Sequence, residues 1–102
     1  MKRYQLSREA DADLNGIWVY IVQRASAEAA SDFIWKFYET FRSLAGSPRA
    51  GVNIPDVPGD VRKFPMGNYL IYYRVLPGKV LIDRVLHGKR LQKAAFRKKP
   101  AR

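Results

Sequence analysis

Apolar residues recur at helical intervals through the first half of the chain. Ala10, Leu14, Ile17 and Ile21 are spaced four, three and four positions apart, which places them on one face of a helix. Ser7 precedes them as an N-cap, and Glu9, Asp11 and Asp13 sit near the positive end of the helix dipole. The pattern predicts a first helix over about 8–24, slightly weakened by Gly16. A broader stripe follows in Ala30, Phe33, Ile34, Phe37, Phe41 and Leu44, behind a second N-cap, Ser26, with Glu28 in the first turn. It predicts a second helix over about 27–45, with Gly46 placed for a left-handed C-cap and Pro48 opposing continuation. The short link between the two predicts an antiparallel helical hairpin.

The remaining segments read as strands and turns. Tyr4-Gln5-Leu6 is a short first strand. Residues 47–60 are rich in Pro and Gly and read as a loop crossing from the helices to a sheet. Three strands then follow, over 61–64, 69–75 and 80–87, separated by Met66-Gly67-Asn68 and Pro77-Gly78. Turns this short predict an antiparallel meander. On the middle strand Tyr69, Ile71, Tyr73 and Val75 form the face better suited to meet the helices. On the last strand Val80, Ile82, Arg84 and Leu86 share one face, and Leu81, Asp83, Val85 and His87 the other. A two-layer domain requires only one apolar sheet face, so the surplus predicts a surface covered by something else. Trp18 and Val22 lie beside the stripe of the first helix, and Trp35 and Tyr38 with Arg42 beside that of the second. Such tryptophans either anchor a partner segment or close a small core with a wide stripe.

Composition narrows the possibilities. A chain of 102 residues suits one domain, and 47% hydrophobic residues suffice for a small core. The absence of cysteine removes disulfides, cysteine nucleophiles and thiolate metal sites, and a single histidine cannot alone build a His-based zinc site. No apolar run reaches membrane-spanning length, and acids occupy the positions where a signal peptide would be apolar. These features predict a soluble, cytoplasmic protein without cofactor or metal.

Charge is distributed unevenly. Residues 1–60 carry seven Lys or Arg against eight Asp or Glu, whereas residues 61–102 carry twelve against one, for the net +10 of the chain. A cationic surface attracts polyanions or acidic proteins and is weakened by salt. The constellation Arg62, Lys63, Arg74, Arg84, Lys89 and Arg90 offers planar forks for phosphate or carboxylate. Phe64, Tyr72 and Tyr73 between them add stacking surfaces of the kind that single-stranded nucleic acids use. A solvated basic face has the same appearance. Phosphate-cradling glycine loops and nucleophile elbows are missing from the sequence. Asp11 and Asp13 point to different helix faces and read as dipole partners rather than an acid–base pair. His87 is the one side chain whose ordinary pKa lies near neutrality. It reads either as a strand-end histidine or as a proton carrier beside basic residues at a phosphate.

The order of these pieces resembles the RelE/ParE superfamily of bacterial toxin–antitoxin toxins over nearly the whole chain. Tyr4-Gln5-Leu6-Ser7 with Ala10, Asp13, Leu14 and Ile17 is similar to the family opening. Phe41, Leu44, Ala45, Pro48 and Gly51 resemble its second-helix exit. Arg62-Lys63-Phe64 and Asn68 to Arg74 resemble its central strands, and Ile82 to Arg90 its final strand. The resemblance implies an α+β fold, with an N-terminal strand and an antiparallel helical hairpin packed on an antiparallel sheet that ends in a three-strand meander. It implies a toxin domain over 1–90 followed by a basic tail over 91–102.

Two activities come with the superfamily. The RelE type cleaves mRNA on the ribosome, with basic residues and, in its well-known members, a C-terminal tyrosine. Here Phe96 stands where that tyrosine is expected, and it has no hydroxyl with which to move a proton. The Leu-His-Gly wording of the last strand looks more like the ParE type, which poisons DNA gyrase and is neutralised in a hetero-oligomer by a ParD-like antitoxin. A binding protein rather than an enzyme is therefore the leading expectation. The residues expected at partner contacts are Trp18, Trp35, Tyr38, Arg62, Tyr72, Arg74, Arg84, His87 and Arg90. The alternative is a RelE-like ribosome-dependent endoribonuclease using Arg62, Arg84, His87 and Arg90. Direct nucleic-acid binding through the basic face is a third, less favoured reading.

Overall fold

A computed structural model describes residues 3–88. The elements run β1 (Tyr4–Leu6), α1 (Arg8–Arg24), α2 (Ala27–Gly46), a 3-10 turn (Pro48–Ala50), β2 (Val52–Asn53), β3 (Val61–Met66), β4 (Tyr69–Leu76) and β5 (Lys79–His87). Both helices start at the serines expected to cap them. The hydroxyls of Ser7 and Ser26 accept the amide N–H groups of Ala10 and Ala29 at 2.9 and 3.0 Å. Gly46 does not act as a left-handed cap. It remains helical and Ser47 takes the cap position, donating its N–H to the carbonyls of Ser43 and Leu44 before Pro48 opens the 3-10 turn.

The five strands form one sheet in the order β1-β5-β4-β3-β2. The meander β3-β4-β5 is antiparallel, as its short turns require. Leu76 pairs with Lys79 across Pro77-Gly78, and Gly78 has the positive φ of 76° that such a turn requires. β1 lies against β5 in parallel, which makes the sheet mixed rather than wholly antiparallel. The loop between α2 and β3 contributes a two-residue edge strand, β2, that carries no hydrophobic periodicity of its own.

Both helices cover one face of the sheet. Phe37, Phe41 and Leu44 of α2 and Leu14 of α1 meet Ile71, Tyr73, Val80, Ile82 and Val85 in the core, with Tyr69 and Val75 packed against it. The helix-facing set expected on β4 is thus the observed one. On β5 the inward residues change phase. Ile82 pairs with Tyr73 and Arg84 with Tyr72, so Asp83 is an extra residue in the ladder. This bulge passes the core-facing role from Ile82 to Val85 and mixes the two faces that strict alternation assigns. The surplus apolar residues of the far face are only partly open, with Leu70 and Leu81 half-buried and others closed off. Val61, Tyr72 and Leu86 are 0, 1 and 8% exposed within the chain.

A polar staple holds the loop after α2. The Tyr73 hydroxyl accepts the Gly51 N–H at 2.8 Å and donates to the Pro48 carbonyl at 2.6 Å. Gly51 must be glycine there, because a Cβ would lie 2.6 Å from that hydroxyl and 2.8 Å from the Lys63 carbonyl oxygen.

Candidate functional site

The site is set by how α1 is anchored. Ser7 donates its N–H to the Ile82 carbonyl and its hydroxyl to the Asp83 carbonyl, at 2.9 and 2.8 Å, which ties the helix start to β5. One turn further on, the Asp13 carboxylate accepts from Arg84 Nε and Nη2 at 2.8 and 2.9 Å and from the Val85 N–H at 2.9 Å. It closes the edge of β5 just past the end of β1. Hydrogen bonding to Asp13 raises the Arg84 pKa above its ordinary value. Asp13 is therefore a cross-fold bracket rather than a dipole partner alone.

With that flank of α1 fixed to the sheet, its other flank faces α2 and leaves a groove. Asp11, Leu14, Asn15 and Trp18 line it from α1, and Ile34 and Tyr38 from α2. The groove measures about 540 Å³. Trp18 is half-buried in its wall, while Trp35 is 58% exposed on α2 outside it. The Tyr38 ring meets Phe41 edge-on at 5.7 Å. Its hydroxyl pKa is pushed up by burial first, then by the nearby Asp11 and Tyr4. The arrangement is an amphipathic trough suited to an apolar segment with polar edges.

The expected cationic residues are placed differently. Arg62 Nε contacts Asp60 at 2.9 Å and its Nη1 donates to the Gly51 carbonyl. Arg74 pairs with Asp83 and Arg84 with Asp13, each at 2.8 Å. All three guanidinium groups are thus engaged inside the chain and do not converge on an open phosphate site. Tyr72, expected at a partner contact, is buried, and burial raises its hydroxyl pKa. His87 is exposed at the end of β5, with its ring edge-on to Tyr69 at 5.5 Å. Arg90, like Lys89, Phe96 and the tail, lies outside the described residues. Of the expected contacts, the structure brings Trp18 and Tyr38 together and leaves Trp35 exposed nearby on the same helix. The Arg84–Asp13 pair was not readable because its members are 71 positions apart.

A second cleft lies at the β1 edge, lined by Arg3, Tyr4, Gln5, Arg42 and Lys79. Sequence reading marked only Arg42 in it, beside Tyr38. The available signal was the spacing Ile34, Tyr38, Arg42, which forms one line along α2.

A helical hairpin rests on one face of a mixed five-stranded sheet and leaves an open amphipathic groove, which is the α+β architecture that the resemblance implies. The chain belongs to the family of the ParE toxin of the type II toxin–antitoxin system parDE, whose pattern it matches over residues 4–92. It is 38% identical over 87 residues to toxin ParE1 of Caulobacter vibrioides, covering 85% of this chain and 90% of that protein. It is 30% identical over 88 residues to toxin ParE1 of Mycobacterium tuberculosis, with the same 85 and 90% coverage. Among solved structures, the chromosomal ParDE TA system from P. aeruginosa superposes with a TM-score of 0.73 at 26% identity, over 85% of this chain and 96% of that one.

Proposed function

We propose that this chain is the toxin of a ParDE-type pair, that it poisons DNA gyrase by binding it, and that a ParD-like antitoxin holds it inactive in a hetero-oligomer. The family match over residues 4–92 carries this reading. The solved relative from a chromosomal ParDE system supports an antitoxin partner. The helical groove with Trp18 and Tyr38, flanked by the exposed Trp35, is the surface we assign to protein contact. Residues 1–90 form the toxin domain in this reading, and its place of action is the bacterial cytoplasm, where gyrase works. The ribonuclease alternative needs Arg62 and Arg84 free to stabilise phosphate charge, and both are held by carboxylates. Supercoiling by purified gyrase, with and without the full-length chain, tests the reading. The expected result is loss of supercoiling at stoichiometric toxin, restored by antitoxin. Unchanged supercoiling, together with codon-linked mRNA cuts that His87→Ala abolishes, would replace it with the ribonuclease.

A further inference from the structure

The excess positive charge of the chain is concentrated past the end of β5. Residues 89–102 carry seven Lys or Arg in fourteen positions and no Asp or Glu. The cations of the sheet do not add to this field, because Arg62, Arg74 and Arg84 are each neutralised by an aspartate.

The structure fixes where the cationic segment begins. Gly88 donates its N–H to the Asn68 carbonyl at 2.8 Å and so ties the end of β5 to the β3–β4 turn. A cleft of about 420 Å³ surrounds this point, lined by Pro65, Asn68, Tyr69, Leu70 and the exposed His87, with no carboxylate in its lining. It shares no lining residue with the helical groove, so the two are separate surfaces. The Tyr69 ring meets His87 edge-on at 5.5 Å, and Tyr20 of α1 lies close enough to raise the Tyr69 hydroxyl pKa, second to burial. Tyr20 is 51% exposed, and Arg24 stacks its guanidinium 4.3 Å from the centre of that ring. Among the described residues Arg24 makes no ion pair. An arginine without a counter-charge therefore stands at the same end of the molecule as the start of the segment.

We propose that residues 89–102, starting from Gly88 and joined by Arg24, bind the phosphate backbone of duplex DNA. A run of like charges without acids repels itself, and a polyanion relieves that repulsion. Duplex DNA carries one charge per about 1.7 Å of its axis, and release of its condensed counterions supplies affinity without any base contact. The contact lies away from the sheet face whose arginines are already engaged. Its use rests on the gyrase reading above, since gyrase holds duplex DNA. A toxin that touches both the enzyme and its DNA gains in effective concentration from the second contact.

The test titrates a fluorescent DNA duplex of arbitrary sequence with the full-length chain and reads anisotropy between about 0.05 and about 0.3 M salt. The affinity is expected to fall steeply with salt, with a log–log slope of magnitude about 4 or more. The full-length variant Arg97→Gln/Lys98→Gln/Lys99→Gln/Arg102→Gln should bind at least about tenfold more weakly at the lowest salt and reduce the slope by about 3 to 4. Arg24→Gln should reduce it by about 1, and Lys36→Gln, an exposed change on α2, should leave it unaltered. Equal affinity and slope for the fourfold variant and the wild type would overturn the proposal. Tighter binding to a single-stranded RNA of the same length would assign the segment to RNA and overturn it as well. If the wild-type chain blocks gyrase supercoiling yet does not bind the duplex at low salt, the DNA contact falls and the gyrase reading stands. If it binds the duplex with the expected slope and leaves supercoiling unchanged, the DNA contact stands and the gyrase reading falls.

Discussion

Asp13 shows how much a single carboxylate can hold. It receives three hydrogen bonds, from two nitrogens of Arg84 and from the Val85 N–H. The Val85 amide would otherwise sit at the edge of β5 without a neighbouring strand, since β1 pairs only as far as Ile82. An unpaired backbone donor and a half-buried guanidinium are both costly to leave without acceptors. Asp13→Ala is therefore expected to destabilise the chain by about 2 kcal/mol, and Asp13→Asn by less, because the amide oxygen still accepts the Val85 N–H. Urea unfolding of the three proteins at neutral pH measures the order; equal midpoints for Asp13→Ala and wild type would refute it. Sequence reading placed Asp13 correctly near the helix start but could not supply its partner, which arrives only when β5 closes against α1.

At the level of elements, the helices were legible and the sheet was only partly so. A helix carries its address locally, in caps and in a repeat of about 3.6 residues, and α1 and α2 begin where Ser7 and Ser26 indicate. The meander was legible for a similar reason, because Pro77-Gly78 and Gly67-Asn68 mark its turns. The parallel pairing of β1 with β5 and the bulge at Asp83 left no local mark. The first joins segments more than seventy residues apart, and the second is a shift of register between neighbouring strands, at a residue whose carbonyl also accepts the Ser7 hydroxyl. The bulge also accounts for the uncertain faces of β5, since one inserted residue inverts the alternation on which a strand reading depends. Ser7 stands where the local and the distant signals meet. It caps α1 and also donates to the Asp83 carbonyl at the bulge. Ser7→Ala should thus cost more than loss of an isolated cap, about 2 kcal/mol against a typical 1. The same substitution at Ser26, whose hydroxyl has only the Ala29 amide, should cost about 1 kcal/mol. Thermal or urea midpoints of the two variants make the comparison, and a larger loss at Ser26 would reverse the assignment.

Across the whole molecule, most of the net charge of the sequence lies outside the described residues. Residues 3–88 carry eleven Lys or Arg and nine Asp or Glu, a balance of +2, so +8 of the net +10 falls outside them. Stability within the described body therefore rests on specific pairs and buried rings rather than on bulk charge. The buried rings give it a defined pH response. Tyr38, Tyr69, Tyr72 and Tyr73 all have hydroxyl pKa values raised above the ordinary 10.0, with burial the largest cause in each. A tyrosine with a raised folded pKa holds its proton in the native chain at pH values where the unfolded chain has released it. The native state then binds more protons than the unfolded state, and stability falls as pH rises. These groups contribute their full share below about pH 10 and lose it progressively above. The Arg84–Asp13 pair keeps its proton through this range, because the Arg84 pKa is displaced further upward, so it does not share in the alkaline loss. Urea midpoints measured from neutrality to pH 11 should remain flat with respect to these groups and then decline above about 10. Tyr38→Phe removes one such hydroxyl from the lining of the helical groove. It should leave the neutral midpoint nearly unchanged and make the alkaline decline shallower, whereas an unaltered decline would mean that Tyr38 ionises as freely in the folded chain as in the unfolded one.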